Sequence, residues 1–258
     1  MRNAGIVLLL ALFVPRLLAQ VREIDSPAAP GSAEPSLARG ADGAIYLSWI
    51  EREGGARHAF RFSRTLDGSW TEPRTIARGE NWFVNWADVP SMAAHEDGTL
   101  AAHWLEKVGP GTYAYGVRLS TSTDRGETWR EPFWLHADGT QTEHGFVSLL
   151  PRAGGRFVAV WLDGRAMGTG VDGEGEGDMS LRAATFGTAG GPDGEALIDA
   201  RVCECCATSA APLPDGTLAL VYRDRSEGEV RDVSITYLKD GAWSAPRTLH
   251  ADDWKIDG

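Results

Sequence analysis

Ser122-Thr123-Asp124-Arg125-Gly126-Glu127-Thr128-Trp129 follows an alternating run over residues 119–123 and precedes Arg130-Glu131-Pro132. The stretch has the form S-x-D-x-G-x-T-W. Asp in its third place bonds nearby backbone amides, and Gly in its fifth accepts positive φ, so its middle is a tight turn. Thr128 and Trp129 open the next strand, where Trp packs between neighbouring sheets. The octapeptide therefore predicts a β-hairpin. Looser copies are Ser63-Arg64-Thr65-Leu66-Asp67-Gly68-Ser69-Trp70, followed by Glu72-Pro73, and Tyr237-Leu238-Lys239-Asp240-Gly241-Ala242-Trp243, followed by Ala245-Pro246. Asp67-Gly68 and Asp240-Gly241 are hairpin signals in their own right.

Outward from these turns runs a longer repeat. Pro35-Ser36-Leu37 is followed by Asp42-Gly43 and by a strand over 45–49 with Glu51 behind it. Pro90-Ser91-Met92 leads in the same way to Asp97-Gly98, the strand 100–104 and Glu106. Val147-Ser148-Leu149 leads to Gly154-Gly155, the strand 157–161 and Asp163, and Thr208-Ser209-Ala210 to Asp215-Gly216, the strand 218–222 and Asp224. The aromatic anchors that close these strands, Trp49, Trp104, Trp161 and Tyr222, stand 55, 57 and 61 residues apart. Each unit has room for four strands, which makes it one propeller blade. A four-stranded sheet buries both faces only when blades stack around an axis. No long 3.6-residue periodicity follows the N-terminal segment, so a helical reading fails.

The octapeptide and its copies resemble the Asp-box, or BNR repeat, of sialidase-like β-propellers. In that family the box closes a hairpin on the outside of a blade, away from any active site. The expected fold is all-β, with blades over about 35–80, 81–138, 139–199 and 200–249 and the start of a fifth over 250–258. Sialidase-like propellers usually have six blades, so the resemblance implies a fragment. A complete four-bladed propeller and one completed by another chain are the alternatives.

The chain has 258 residues, with 31 Gly, 13 Pro and 10 Trp, as suits many short strands joined by turns. Its net charge is −11 and no basic patch stands out, which argues against nucleic acid or an anionic membrane as partner. Residues 1–19 carry Arg2, an apolar run over 6–14 and Leu17-Leu18-Ala19 before Gln20, and read as a signal peptide. An uncleaved anchor is the alternative. Export to the periplasm or beyond is the expectation, with residues 20–34 as a flexible lead-in.

Ligands of propellers usually bind at the channel mouth, on loops leading into the innermost strands. Here those loops are 82–88, 141–145, 201–206 and 254–257, and they depart strongly from the repeat. All three cysteines of the chain lie in Cys203-Glu204-Cys205-Cys206. They read as a disulfide framework, as a copper or zinc site with His144 or His103 near, or as redox-active thiols. Arginine bonds carboxylates bidentately, and sialidases hold their substrate's carboxylate with three arginines from different blades. Arg165, Arg225 and Arg231 are the candidates for such a cluster. The family also uses an acid/base Asp and a Tyr nucleophile paired with Glu. Glu143 and Asp88 are the candidate carboxylates, but the family's first-blade arginine has no match in Ala33-Glu34-Pro35-Ser36. Glu51, Glu106, Asp163 and Asp224 share one repeat position, which suits a structural role in the blade. Trp82, Trp86 and Trp134 are candidate sugar-stacking or packing residues. The acidic run from Asp172 to Asp178 reads as a calcium site or a solvated loop. The resulting expectation is a sialidase-like propeller that binds a glycan or other anionic ligand, with glycoside hydrolase activity in an intact parent. The alternatives are a non-enzymatic metal-binding propeller and a scaffold for protein partners.

Overall fold

A computed structural model describes residues 21, 23–40, 42–65, 67–168 and 177–256. Residues 1–19, expected from sequence to be a signal peptide, and most of the acidic run lie outside these residues. The described chain is all-β, and no helix in it is long and apolar enough to cross a membrane. β1 (Ala33–Arg39), β2 (Ile45–Gly54), β3 (Arg57–Thr65) and β4 (Arg74–Gly79) form the first antiparallel sheet, in chain order. β5 (Ser91–Ala94), β6 (Leu100–Lys107), β7 (Tyr115–Ser122) and β8 (Phe133–Trp134) form the second. β9 (His144–Arg152), β10 (Arg156–Asp163), β11 (Ser180–Phe186) and β12 (Pro192–Asp199) form the third. The last holds β13 (Ser209–Pro212), β14 (Leu218–Arg223), β15 (Val233–Lys239) and β16 (Ala242–Trp243), with β17 (Arg247–His250) also on β15. These four-stranded antiparallel sheets match the form of propeller blades.

Apolar packing runs between blades. Ile50, Phe60 and Phe62 of the first sheet meet Met92, Leu100 and Trp104 of the second. Leu105, Val117 and Leu119 meet Phe157, Trp161 and Phe186 across the next junction. Val158, Val160 and Leu162 meet Leu218, Leu220 and Tyr222 across the third. The anchors Trp49, Trp104, Trp161 and Tyr222 are all buried. The inner strands β1, β5, β9 and β13 line a central cleft of about 530 Å3.

Glu51 lies 3.3 Å from Arg61, Glu106 3.5 Å from Arg118, and Asp163 3.9 Å from Arg182. In these three blades the arginine stands opposite the aromatic anchor: Trp49 faces Arg61, Trp104 faces Arg118 and Trp161 faces Arg182. The repeated acid thus ties the second strand of a blade to its third. In the fourth blade Tyr222 faces Ser234, and no such arginine is present.

Between β7 and β8, Ser122 Oγ donates to Asp124 Oδ1 at 2.7 Å and accepts from the Gly126 amide at 2.9 Å. Asp124 accepts from the Thr128 amide and hydroxyl at 2.9 and 2.6 Å. The Thr128 hydrogen bonds hold the Asp124 carboxyl down at about 2. Arg125 and Gly126 have φ of 60° and 79°, and a Cβ on Gly126 would overlap the Phe62 ring of the neighbouring blade. The turn therefore needs Gly for both conformation and inter-blade packing.

Because the strands alternate in direction, the β7–β8 turn lies at one end of the blades. The β4–β5, β6–β7, β8–β9, β10–β11, β12–β13 and β14–β15 connections gather at the other. That end, called the top here, carries the side chains described next.

Candidate functional site

Three polar groups occupy the top. The first joins Asp88, Tyr115 and Glu143. Tyr115 opens β7, and Glu143 directly precedes β9; the two residues form a bridge between the second and third blades. The Tyr115 hydroxyl lies 2.7 Å from Glu143 Oε1 and 3.3 Å from Asp88 Oδ2, and Phe83 stacks on the phenol ring at 4.0 Å. Asp88 Oδ1 accepts the Phe146 amide at 2.9 Å. Phe146 has φ 52°, a left-handed conformation unusual for a bulky residue, near an irregularity in the β9–β10 register. A Cβ on Gly145 would overlap the Asp88 carboxylate, so the close approach depends on that glycine.

Burial pushes the Asp88 carboxyl up to about 7, and the Glu143 charge adds to the shift. Burial also raises Glu143 above its ordinary range, with help from the Glu204 charge. The Tyr115 phenol is raised by burial and by both carboxylates, so it stays protonated throughout. One phenolic hydrogen cannot serve two carboxylates. A protonated Asp88 donating to the phenol oxygen, with the phenol donating to Glu143, satisfies all three. Only Glu143 reaches solvent, since Asp88 and Tyr115 are 2% and 1% exposed.

The second group surrounds His144. Its ring stacks on His136, with centroids 3.7 Å apart and planes within 4°. The Val117 amide points at His136 Nε2, which puts the hydrogen on Nδ1, and Nδ1 donates to Asp138 Oδ2 at 2.7 Å. Burial holds His136 down at about 4, so it is neutral. His144 Nδ1 donates to the Thr142 carbonyl at 3.0 Å. Its Nε2 lies 3.2 Å from Asp138 and 3.6 Å from Asp163, close to both carboxylates but outside strict hydrogen-bond geometry. Burial works against a charged ring here, yet Asp138 and Asp163 together raise His144 above its ordinary value. His136, Asp138 and His144 are close enough to share a metal ion. The tautomer argues against one, because the nitrogen a metal needs on His136 is the one bearing hydrogen. Arg165 closes the group, bonding Asp163 at 2.6 Å and Glu195 at 2.8 Å.

The third group belongs to the cysteine segment. Cys203 and Cys206 are disulfide-bonded, and Cys205 is free and exposed. Glu204 is paired with Arg225, and with Arg231 at 3.3 Å. Glu229 bonds Arg201, Arg225 and Arg231 at 2.7, 2.9 and 3.2 Å. Asp178 adds contacts to Arg201 and Arg225 at 3.3 and 3.4 Å. The Trp254 carbonyl accepts the Arg231 amide at 2.8 Å, so the chain after β17 packs over this group.

The sequence candidates therefore separate. Asp88 and Glu143 come together through Tyr115, and Arg225 and Arg231 come together through Glu204 and Glu229. Arg165 stands apart from those two arginines, in the group of His144. His144 is not among the residues around the cysteine sulfurs, and His103 is buried against Ser91 at 2.9 Å. Trp82 packs against Trp104 in the core, and Arg118 covers Trp134 at 4.5 Å. Trp86 is 84% exposed on the connection that carries Asp88. Sequence reasoning missed Tyr115, His136, Asp138, Glu204 and Glu229. His136-x-Asp138 departs from the repeat just before the segment singled out at 141–145. Tyr115 gave no signal beyond being an aromatic residue opening a strand.

No family model and no curated protein sequence matches the chain. Solved structures do resemble it. A Hadza microbial sialidase, Hz136, is 17% identical, with a TM-score of 0.53 over 85% of this chain and 47% of its own. An α-L-arabinanase of Penicillium chrysogenum, complexed with arabinobiose, is 14% identical, with a TM-score of 0.57 over 86% of this chain and 67% of its own. A leech intramolecular trans-sialidase, soaked with 3'-sialyllactose, is 10% identical, with a TM-score of 0.51 over 84% and 51%. The chain thus spans between about half and two thirds of these proteins' length, and at such identities the likeness is one of fold.

Proposed function

We propose, on the premise of a sialidase-type β-propeller fold, that the top face binds a glycan and that Glu143 carries out acid–base chemistry on it. The observation that carries this reading is the hydrogen-bonded chain from Asp88 through the Tyr115 hydroxyl to Glu143. Two carboxyls that burial raises above their ordinary range, joined by a phenol, form a unit that can hold and release a proton near neutral pH. Glu143 is the member positioned to touch a sugar. Asp88 and Tyr115 act through it, setting its charge and orientation. Trp86, exposed on the same connection, offers an apolar face for a sugar ring.

The arginines bear on the kind of glycan. Arg165, Arg225 and Arg231 are each paired with carboxylates of the chain itself. A sugar carboxylate would have to displace Glu204 or Glu229, so a neutral glycan fits the top face better than an acidic one. Export, suggested by residues 1–19, would bring the protein to such a ligand.

Titration calorimetry with arabinobiose and with 3'-sialyllactose tests the reading. The expected result is saturable binding of the neutral sugar, weakened about tenfold or more by Trp86→Ala, a loss of about 1.4 kcal/mol. Binding of neither sugar, or binding indifferent to Trp86→Ala, would overturn it. A preference for 3'-sialyllactose would reverse the assignment to neutral glycans.

A further inference from the structure

The cysteine segment holds more sulfur than its disulfide uses. The Sγ atoms of Cys203, Cys205 and Cys206 all lie within 4.8 Å of one another, although only Cys203 and Cys206 are bonded. Cys203 is 1% exposed, whereas Cys205 is open to solvent. The segment is fixed by bonds that do not involve sulfur. The Val202 amide donates to the Met179 carbonyl at 2.9 Å and the Cys203 amide to the Arg223 carbonyl at 3.1 Å. Glu204, between the first two cysteines, is held by Arg225 and Arg231. The Val202–Glu204 stretch is thus held by the surrounding blades as well as by the disulfide.

We propose that, once the disulfide is reduced, Cys203, Cys205 and Cys206 form a three-sulfur site for one copper(I) ion. Soft thiolates select soft cations, which narrows the choice to copper(I) and zinc. Structural zinc takes four protein ligands. Among the described residues, no His, Asp or Glu joins the three sulfurs at ligand distance. Glu204, the nearest carboxylate in sequence, is occupied by arginines. Three sulfurs without a fourth donor suit monovalent copper. Opening the site takes two electrons: an external dithiol is oxidised to its disulfide while Cys203 and Cys206 become thiols. Copper(I) then replaces the protons of the three thiols. The disulfide form is closed to metal, so the site is gated by redox state.

The test uses the whole chain, reduced anaerobically with a dithiol, freed of excess reductant and titrated with copper(I) against a chromophoric copper(I) chelator. The expected result is one copper per chain, with no uptake by the disulfide form and affinity lower by about tenfold or more in Cys205→Ser. Cys205→Ser keeps the disulfide, so its fold is checked by near-ultraviolet circular dichroism before reduction. Failure of the reduced chain to take copper from the chelator would overturn the proposal. Copper binding unchanged in Cys205→Ser, preference for zinc in a parallel titration, or unfolding on reduction alone would do the same; the last would make the disulfide purely structural.

Discussion

Asp88 shows at residue scale how burial becomes a measurable property. Its carboxyl sits 2% exposed with an acidity near 7, against an ordinary value of 3.8. The folded chain therefore holds this proton more tightly than the unfolded chain does. The sign follows: this contribution is full below pH 4 and falls away as pH rises towards about 7, by roughly 4 kcal/mol in all. Asp88→Asn removes the titration while keeping the shape. Urea unfolding at pH 4.5 and pH 8 should show the variant gaining stability relative to the wild type at the higher pH. An equal difference at both pH values would mean that Asp88 is not raised. Gly145→Ala attacks the same group from the backbone side. The added Cβ displaces the Asp88 carboxylate, so we expect loss of this pH dependence together with loss of stability.

Hairpins and blades belong to the scale of elements, where the repeat does its work. Gly126→Ala should cost about 2 kcal/mol or more, because it combines a positive φ with overlap on Phe62. Glu106→Gln should cost under about 1 kcal/mol, because the Glu106–Arg118 pair is partly solvated. Chemical denaturation of the two variants checks both, and reversal of their order would show that the blades are held by ion pairs rather than by packing. This is also the scale at which sequence was most legible. Turn residues, apolar runs and aromatic anchors obey local rules, and the anchors at Trp49, Trp104, Trp161 and Tyr222 marked the blades directly. The site was legible only in part. Asp88, Glu143 and the cysteines stood out because their loops break the repeat. Tyr115 did not, because its role arises from the approach of two blades, and no local pattern records that. For the same reason the arginines could be counted in sequence, but their carboxylate partners could not be foreseen.

At the scale of the whole molecule, stacked blades bury their faces at three junctions and leave one end free for chemistry. The box-like turn between β7 and β8 lies at the opposite end, so scaffold and site are separated in space as they are in sequence. The central claim is that Glu143, governed by Tyr115 and Asp88, acts on a glycan bound at that free end. The most direct measurement is the pH dependence of kcat/KM for arabinobiose hydrolysis by the wild type and Glu143→Gln. The account predicts activity that rises with pH as Glu143 ionises above its ordinary range, falls near pH 7 as Asp88 loses its proton, and drops about 10²–10⁴-fold in Glu143→Gln. Hydrolysis that persists undiminished in Glu143→Gln, or that shows no limb near pH 7, would contradict it.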